Sequence, residues 1–234
     1  YIIKAMKLIF ILTLTYIFVS SNNISANENI ENCSIKNVPS KERIFSKNFS
    51  GVFNGKRIDY VASLKEKIIY EKDNPSEPMA SFFYTEYIVE SDKNRPIIFS
   101  FNGGPGSASL WLHMGVLGPK VIKVPSDASD DGAPPFKIVD NKLSPLSDAD
   151  LVFIDPIGTG YSRAIGCHEP EEFWGVSEDP KIIAEFIRRW INDNKRWNSP
   201  RFILGESYGG IRGPLLVSEL RSGSITPIEV NGLL

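Results

Sequence analysis

Phe202-Ile-Leu-Gly-Glu-Ser-Tyr-Gly-Gly210 decides how the rest of the chain is read. A short apolar run enters Gly205-Glu206-Ser207-Tyr208-Gly209, and an apolar helical pattern leaves it. This describes a strand, a sharp turn and a helix, with a serine on the turn. Only glycines fit beside a turn this tight, and the serine hydroxyl projects into a cleft where it can serve as a nucleophile. In such an architecture the orienting acid and the base come later, in the order Ser, Asp or Glu, His. Here both histidines, His113 and His168, precede Ser207, and the last residue is Leu234. The expectation is a hydrolase sequence that carries its nucleophile and lacks its base.

The flanking pattern alternates apolar runs with helical stretches. Ile97–Phe101, Leu151–Ile154 and Phe202–Leu204 are short and continuously apolar, as expected of parallel strands buried on both faces. Ile228–Val230 begins a fourth. The clearest helix runs from Pro180 to about Arg196, with Asp179 as N-cap and Pro180 at the first helical position. Ile182, Ile183, Phe186, Ile187, Trp190 and Ile191 give it one broad apolar stripe. A second helix is expected over about Gly210–Ser222. Before these elements, Arg57–Leu64, Ile68–Glu71 and Phe82–Val89 read as strands of an antiparallel meander, broken by the turn-rich Lys72–Pro78. The fold class is therefore α/β. Residues 27–50 are polar without clear periodicity and read as a loose arm, and Ser126–Pro135 reads as an acidic surface loop rich in Pro and Gly. There are no internal repeats.

The 234 residues suffice for one large domain or part of a bigger one. Apolar content of 42% and charged content of 23% are ordinary for a globular protein, and a net charge of −2 gives no drive toward nucleic acid or anionic lipid. No metal-ligand spacing and no phosphate-binding loop is present, so no cofactor is expected. Met6-Lys7, the uncharged run Leu8–Val19 and the small residues to Ala26 describe a secretory signal peptide, so residues 1–26 read as upstream residues (Tyr1–Ala5, before the initiator Met6) and signal peptide. The run falls below the roughly 20 residues needed to span a bilayer, so export without stable membrane insertion is expected, to the periplasm or outside. Cys33 and Cys167 could then pair or remain two free thiols. Asn23-Ile-Ser25, Asn32-Cys-Ser34 and Asn48-Phe-Ser50 match the N-glycosylation pattern.

A lone Gly-x-Ser-x-Gly is weak evidence, but two further glycine-rich turns accompany it. Asn102-Gly-Gly-Pro-Gly106 directly follows the run Ile97–Phe101, and bare backbone of this kind can aim amide N–H groups into a small volume. Asp155-Pro-Ile-Gly-Thr-Gly-Tyr-Ser162 follows Leu151–Ile154. All three lie at the C-terminal ends of expected parallel strands, the edge where open α/β sheets bind ligands.

Together, Asn102-Gly-Gly-Pro-Gly-Ser107, Asp155–Ser162 and Gly205-Glu-Ser-Tyr-Gly-Gly210 resemble the serine carboxypeptidase family of the α/β-hydrolase fold. The resemblance runs from about Gly51 to the end, so residues 51–234 would form an incomplete domain of that fold. It is closest to bacterial-type members, with Ser at position 107 and Leu112-His-Met-Gly115 following. It implies a serine-type carboxypeptidase that releases C-terminal residues from peptide substrates through an acyl-serine intermediate. It implies Ser207 as nucleophile, the N–H groups of Gly104 and Tyr208 as oxyanion hole, and Asn102, Gly103 and Glu206 as ligands of the substrate's terminal carboxylate. An ionised glutamate cannot donate to a carboxylate, so Glu206 would have to carry a proton. In eukaryotic members a second glutamate shares that proton, and the matching position here is Val116.

His113 and His168 are not expected to replace the missing base, because the architecture takes it from a later loop. Trp111, Tyr161 and Trp174 could line a cleft or pack as rim. An acyltransferase or esterase of the same fold would use the same Ser207, and a peptide-binding remnant without catalysis is the non-enzymatic alternative. The 234 residues made alone are expected to be poorly soluble and inactive, and the reading frame beyond codon 234 is the place to look for an Asp and a His. Oligomeric state is not legible.

Overall fold

The computed structural model describes residues 38–90, 94–124, 129, 134–222 and 226–234. The signal-peptide reading, two glycosylation matches and Cys33 of the cysteine question lie outside these residues, as does most of the acidic loop.

One sheet organises the described residues. Its strands are β1 (Ile44–Phe53), β2 (Lys56–Tyr70), β3 (Pro78–Ile88), β4 (Ile97–Phe101), β7 (Asp150–Ile154), β9 (Arg201–Gly205) and β10 (Gly232–Leu233), and their spatial order is β1-β2-β3-β7-β4-β9-β10. The short β8 (Arg163–Ala164) pairs with β3, and β5 (Lys120–Ile122) and β6 (Ile138–Asp140) form a separate ribbon. β1, β2, β3 and β7 pair antiparallel, while β7, β4, β9 and β10 are parallel. The meander is thus continuous with the parallel half. This is an α/β fold, as the sequence pattern implies.

Two long helices pack together over one face, α1 (Glu178–Asp193) and α2 (Gly209–Ser222). Burial explains why the parallel strands read as unbroken apolar runs. Ile97, Phe99 and Phe101 of β4 with Val152 and Ile154 of β7 meet Ile183, Phe186, Ile187 and Trp190 of α1. Leu151 and Phe153 of β7 face the other way, toward Tyr60, Tyr87, Leu112 and Leu146. Two cores, one per face, leave no solvent side for polar alternation. No helix among the described residues is long and apolar enough to cross a membrane.

Several expected boundaries move. Residues 44–50, read as part of a loose arm, form most of β1, because Phe45, Phe49 and Phe53 alternate with polar residues and Phe49 stacks on Tyr60. Arg57–Leu64 and Ile68–Glu71 are one strand of 15 residues, with Lys65-Glu66-Lys67 inside it. The buried Glu66 accepts from Arg43, Ser81 and Arg163, and Lys65 and Lys67 are paired with Glu86, Glu42 and Asp193. Helix α1 begins at Glu178, with Ser177 at the cap position, so Asp179 lies inside the first turn instead of capping it. It ends at Asp193, before Lys195 turns left-handed at φ 56°. The last strand is Gly232–Leu233, beyond the expected Ile228–Val230, of which Ile228 joins the core.

Candidate active site

The three glycine-rich turns leave the C-terminal ends of adjacent parallel strands. β4 lies between β7 and β9, with Ser100 opposite both Phe153 and Leu204 and Phe101 opposite Gly205. The turns after Phe101, Ile154 and Gly205 therefore emerge along one edge.

Ser207 sits on the turn between β9 and α2 with φ 56°, exposed to solvent. A non-glycine residue there costs about 1–2 kcal/mol and persists only where its surroundings hold it. The hold comes from both sides. Gly209 N–H donates to Glu206 O at 2.8 Å, Gly210 N–H donates to Ser207 O at 2.9 Å, and Glu206 N–H reaches back to Phe101 O at 3.3 Å.

The turn after β4 presses directly on this elbow. A Cβ on Gly103 would stand 2.4 Å from Tyr208 N and 2.6 Å from Glu206 O, so only glycine allows the two backbones to meet. Gly104 follows at φ 107°. Among the described residues, neither the Gly104 N–H nor the Tyr208 N–H donates to a protein acceptor. An amide without a protein acceptor near an exposed serine hydroxyl can donate to a developing oxyanion, since donors fixed before reaction need no reorganisation.

Asn102, fully buried, joins the turns. Its Nδ2 donates to Glu206 Oε2 at 3.1 Å, its Oδ1 accepts from Leu112 N–H at 3.1 Å, and its own N–H donates to Ser109 Oγ at 3.4 Å. Asn102, Gly103 and Glu206 are thereby brought together. Nδ2 has a second hydrogen beyond the one given to Glu206. The turn after β7 is tied in by Asp155, whose carboxylate accepts from Ser109 N–H at 2.8 Å, while Ser109 Oγ donates to Ile154 O. Burial pushes the Asp155 carboxyl above its ordinary range, with the Ser109 hydrogen bond opposing.

A residue that sequence reasoning missed holds this edge from beneath. Arg212, one helical turn after Ser207, is buried. Its Nη1 donates to Asn102 O at 2.8 Å and its Nε to Asp179 Oδ2 at 2.6 Å. Its guanidinium lies 5.1 Å from the ring centres of both Phe101 and Tyr208. Burial raises the Asp179 carboxyl, and the charge and hydrogen bond of Arg212 oppose that rise. The one sequence signal was a charge among the Gly, Ile, Pro and Leu residues that open the helix. Its partner lies 33 residues away and could not be read.

Neither histidine is engaged with Ser207. His113 shares a 2.5 Å hydrogen bond with Tyr87, stacks on Phe153, and is pushed down to about 4 by burial. His168 bonds Glu172 at 2.9 Å and lies 3.4 Å from Glu71. Val116 is exposed on the π-helical turn His113–Leu117, and its carbonyl accepts from Asn141 Nδ2. Trp111, Tyr161 and Trp174 are all more than half exposed. Among the described residues, no group of three His, Cys, Asp or Glu side chains is placed to hold a metal ion.

A family model described as serine carboxypeptidase matches residues 62–234. Among curated proteins, the chain is similar to serine carboxypeptidase-like 9 of Arabidopsis thaliana, with 31% identity over 165 residues, covering 67% of this chain and 36% of that protein. Serine carboxypeptidase-like 2 of the same plant is 29% identical over 167 residues, with the same shares. The chain thus spans 36% of the length of these relatives. Among solved structures, a peroxisomal alpha-beta-hydrolase of Saccharomyces cerevisiae shows a slight likeness, with TM-score 0.37 and 9% identity over 80% of this chain and 42% of that one.

Proposed function

The chain belongs to the serine carboxypeptidase family, and we propose that Ser207 is the nucleophile of a peptidase that removes C-terminal residues. The observation that carries this reading is the contact between Gly103 and the Tyr208 amide, next to a strained, exposed serine. Ser207 Oγ attacks the last peptide carbonyl as its proton leaves to a base. The tetrahedral oxyanion is held by the Gly104 and Tyr208 N–H groups, and the C–N bond breaks as the leaving amine takes up a proton. Water then cleaves the acyl ester by the same steps. Asn102, Gly103 and Glu206 receive the substrate's terminal carboxylate, with Asn102 Nδ2 and backbone as donors.

His113 and His168 are both held by other partners, and neither is assigned as the base. Export, as expected from the N-terminal pattern, places this chemistry outside the cytosol.

The test is reaction with an aryl organophosphonate followed by peptide mapping. The expected result is slow, single-site modification of Ser207 that is lost in Ser207→Ala. Modification spread over other serines would overturn the assignment. Loss of that modification on substituting His113 or His168 would show that one of them serves as the base.

A further inference from the structure

A preformed cavity of about 280 Å³ lies between the turn after β4 and the turn after β7. Pro105 and Gly106 form one wall, Pro156 to Thr159 the other, and Phe173, Trp174, Asp179 and Arg212 complete it. We propose that this cavity is a specificity subsite that takes one uncharged apolar or aromatic side chain of the peptide substrate. The proposal rests on the reading of this edge as a peptidase site and goes beyond it in naming what the substrate must carry.

Three observations support it. The first is place. Gly106 belongs to the same turn as Gly103, which touches the Tyr208 amide, and Arg212 stands over the Tyr208 ring. The cavity therefore shares its walls with the elements that position Ser207. The second is rigidity. Trp174 donates through Nε1 to Ile157 O at 3.2 Å, and a Cβ on Gly158 would stand 2.8 Å from that same nitrogen. The indole is fitted against the bare backbone of the turn, so the wall exists before any ligand arrives. The third is chemistry and size. Arg212 and Asp179 neutralise each other at 2.6 Å, so a charged side chain would enter without a counter-charge. The other contacts are mostly Pro, Ile, Phe and Trp. Drug-sized ligands need about 300–1,000 Å³, while an apolar cavity of about 150 Å³ accommodates benzene. The space therefore suits a single side chain.

The experiment is equilibrium binding of N-acetyl-phenylalanine amide and N-acetyl-lysine amide to the full chain, read by Trp fluorescence and by calorimetry. The phenylalanine probe is expected to bind, and the lysine probe at least tenfold more weakly. Trp174→Ala should weaken the phenylalanine probe by about tenfold or more. Thr159→Leu, which puts bulk into the space while leaving Trp174 in place, should weaken it similarly. Ser207→Ala should leave binding unchanged while abolishing phosphonate labelling. Loss of labelling specificity with intact probe binding would break the peptidase reading and leave the cavity standing. No saturable binding of the phenylalanine probe, or equal binding of both probes, or equal affinity in Trp174→Ala and Thr159→Leu, would overturn the subsite.

Discussion

The two ends of the parallel strands solve opposite problems. At the N-terminal end the fully buried Asp150 accepts from Arg95 Nε at 3.2 Å, Arg196 Nη1 at 2.7 Å and Val89 N–H at 3.0 Å. Arg196 also donates to Arg95 O and Ser199 Oγ, each at 2.7 Å. Charges there are spent on one another, and the strands are bound together. At the C-terminal end Ser207 is strained and exposed, and the Gly104 and Tyr208 amides have no protein acceptor among the described residues. The first end pairs these charges within the protein, with Arg201 Nε left buried and unpartnered, while the second keeps two backbone amides unpaired among the described residues. The contrast fits the general pattern that local rules are broken where function is located and compensated elsewhere.

The largest expected effect breaks the satisfied end. Asp150→Ala leaves the buried Arg196 and the half-buried Arg95 guanidinium groups facing no carboxylate, which should cost about 3–5 kcal/mol in urea unfolding. Asp150→Asn should cost less, since it keeps one acceptor. A loss below about 1 kcal/mol for Asp150→Ala would show that the cluster does not bind the strand ends.

The next effect concerns a histidine that the hydrolase reading leaves aside. His113 stays neutral in the fold down to about pH 4, whereas its ordinary value is 6.5. Between those values the unfolded chain binds more protons than the folded one, so stability falls as pH drops from 6.5 to 4. The total loss is on the order of 3 kcal/mol. His113→Gln, which can still accept from Tyr87, should flatten that limb of the stability profile. A profile unchanged by the substitution would place the acid sensitivity in other groups.

The smallest effect has the opposite sign and belongs to the strained end. Ser207→Gly relieves a φ of 56° and should stabilise by up to about 1 kcal/mol while removing the hydroxyl proposed as nucleophile. A clear destabilisation would mean that the serine side chain contributes contacts that outweigh its strain.

The same contrast governs what was legible in the sequence. The C-terminal edge was readable because its chemistry is local. Glycines at fixed offsets after apolar runs mark Asn102–Gly106, Asp155–Ser162 and Gly205–Gly210, and burial on both faces keeps β4, β7 and β9 unbroken. What stayed hidden depends on partners distant in sequence. Lys65-Glu66-Lys67 looked like a break in β2, yet Glu66 is satisfied by Arg43, Ser81 and Arg163. Asp179 looked like a helix cap and is instead the buried partner of Arg212. Arg212 holds the Asn102 carbonyl, which places it among the supports of the glycine turn, and nothing in its own neighbourhood announced that. β1 escaped because Lys47 and Gly51 interrupt its alternation of aromatic and polar residues.

The central claim is that backbone at the C-terminal edge, set by the contact of Gly103 with the elbow, makes Ser207 reactive. Its most direct test compares the rate of Ser207 phosphonylation in the unaltered chain and in Gly103→Ala, with unfolding followed in parallel. The added methyl has no room 2.4 Å from the Tyr208 nitrogen, so the turn must withdraw from the elbow. A fall of about a hundredfold in rate, in a variant that still unfolds cooperatively, is the expected result. Equal rates in the two proteins would contradict it.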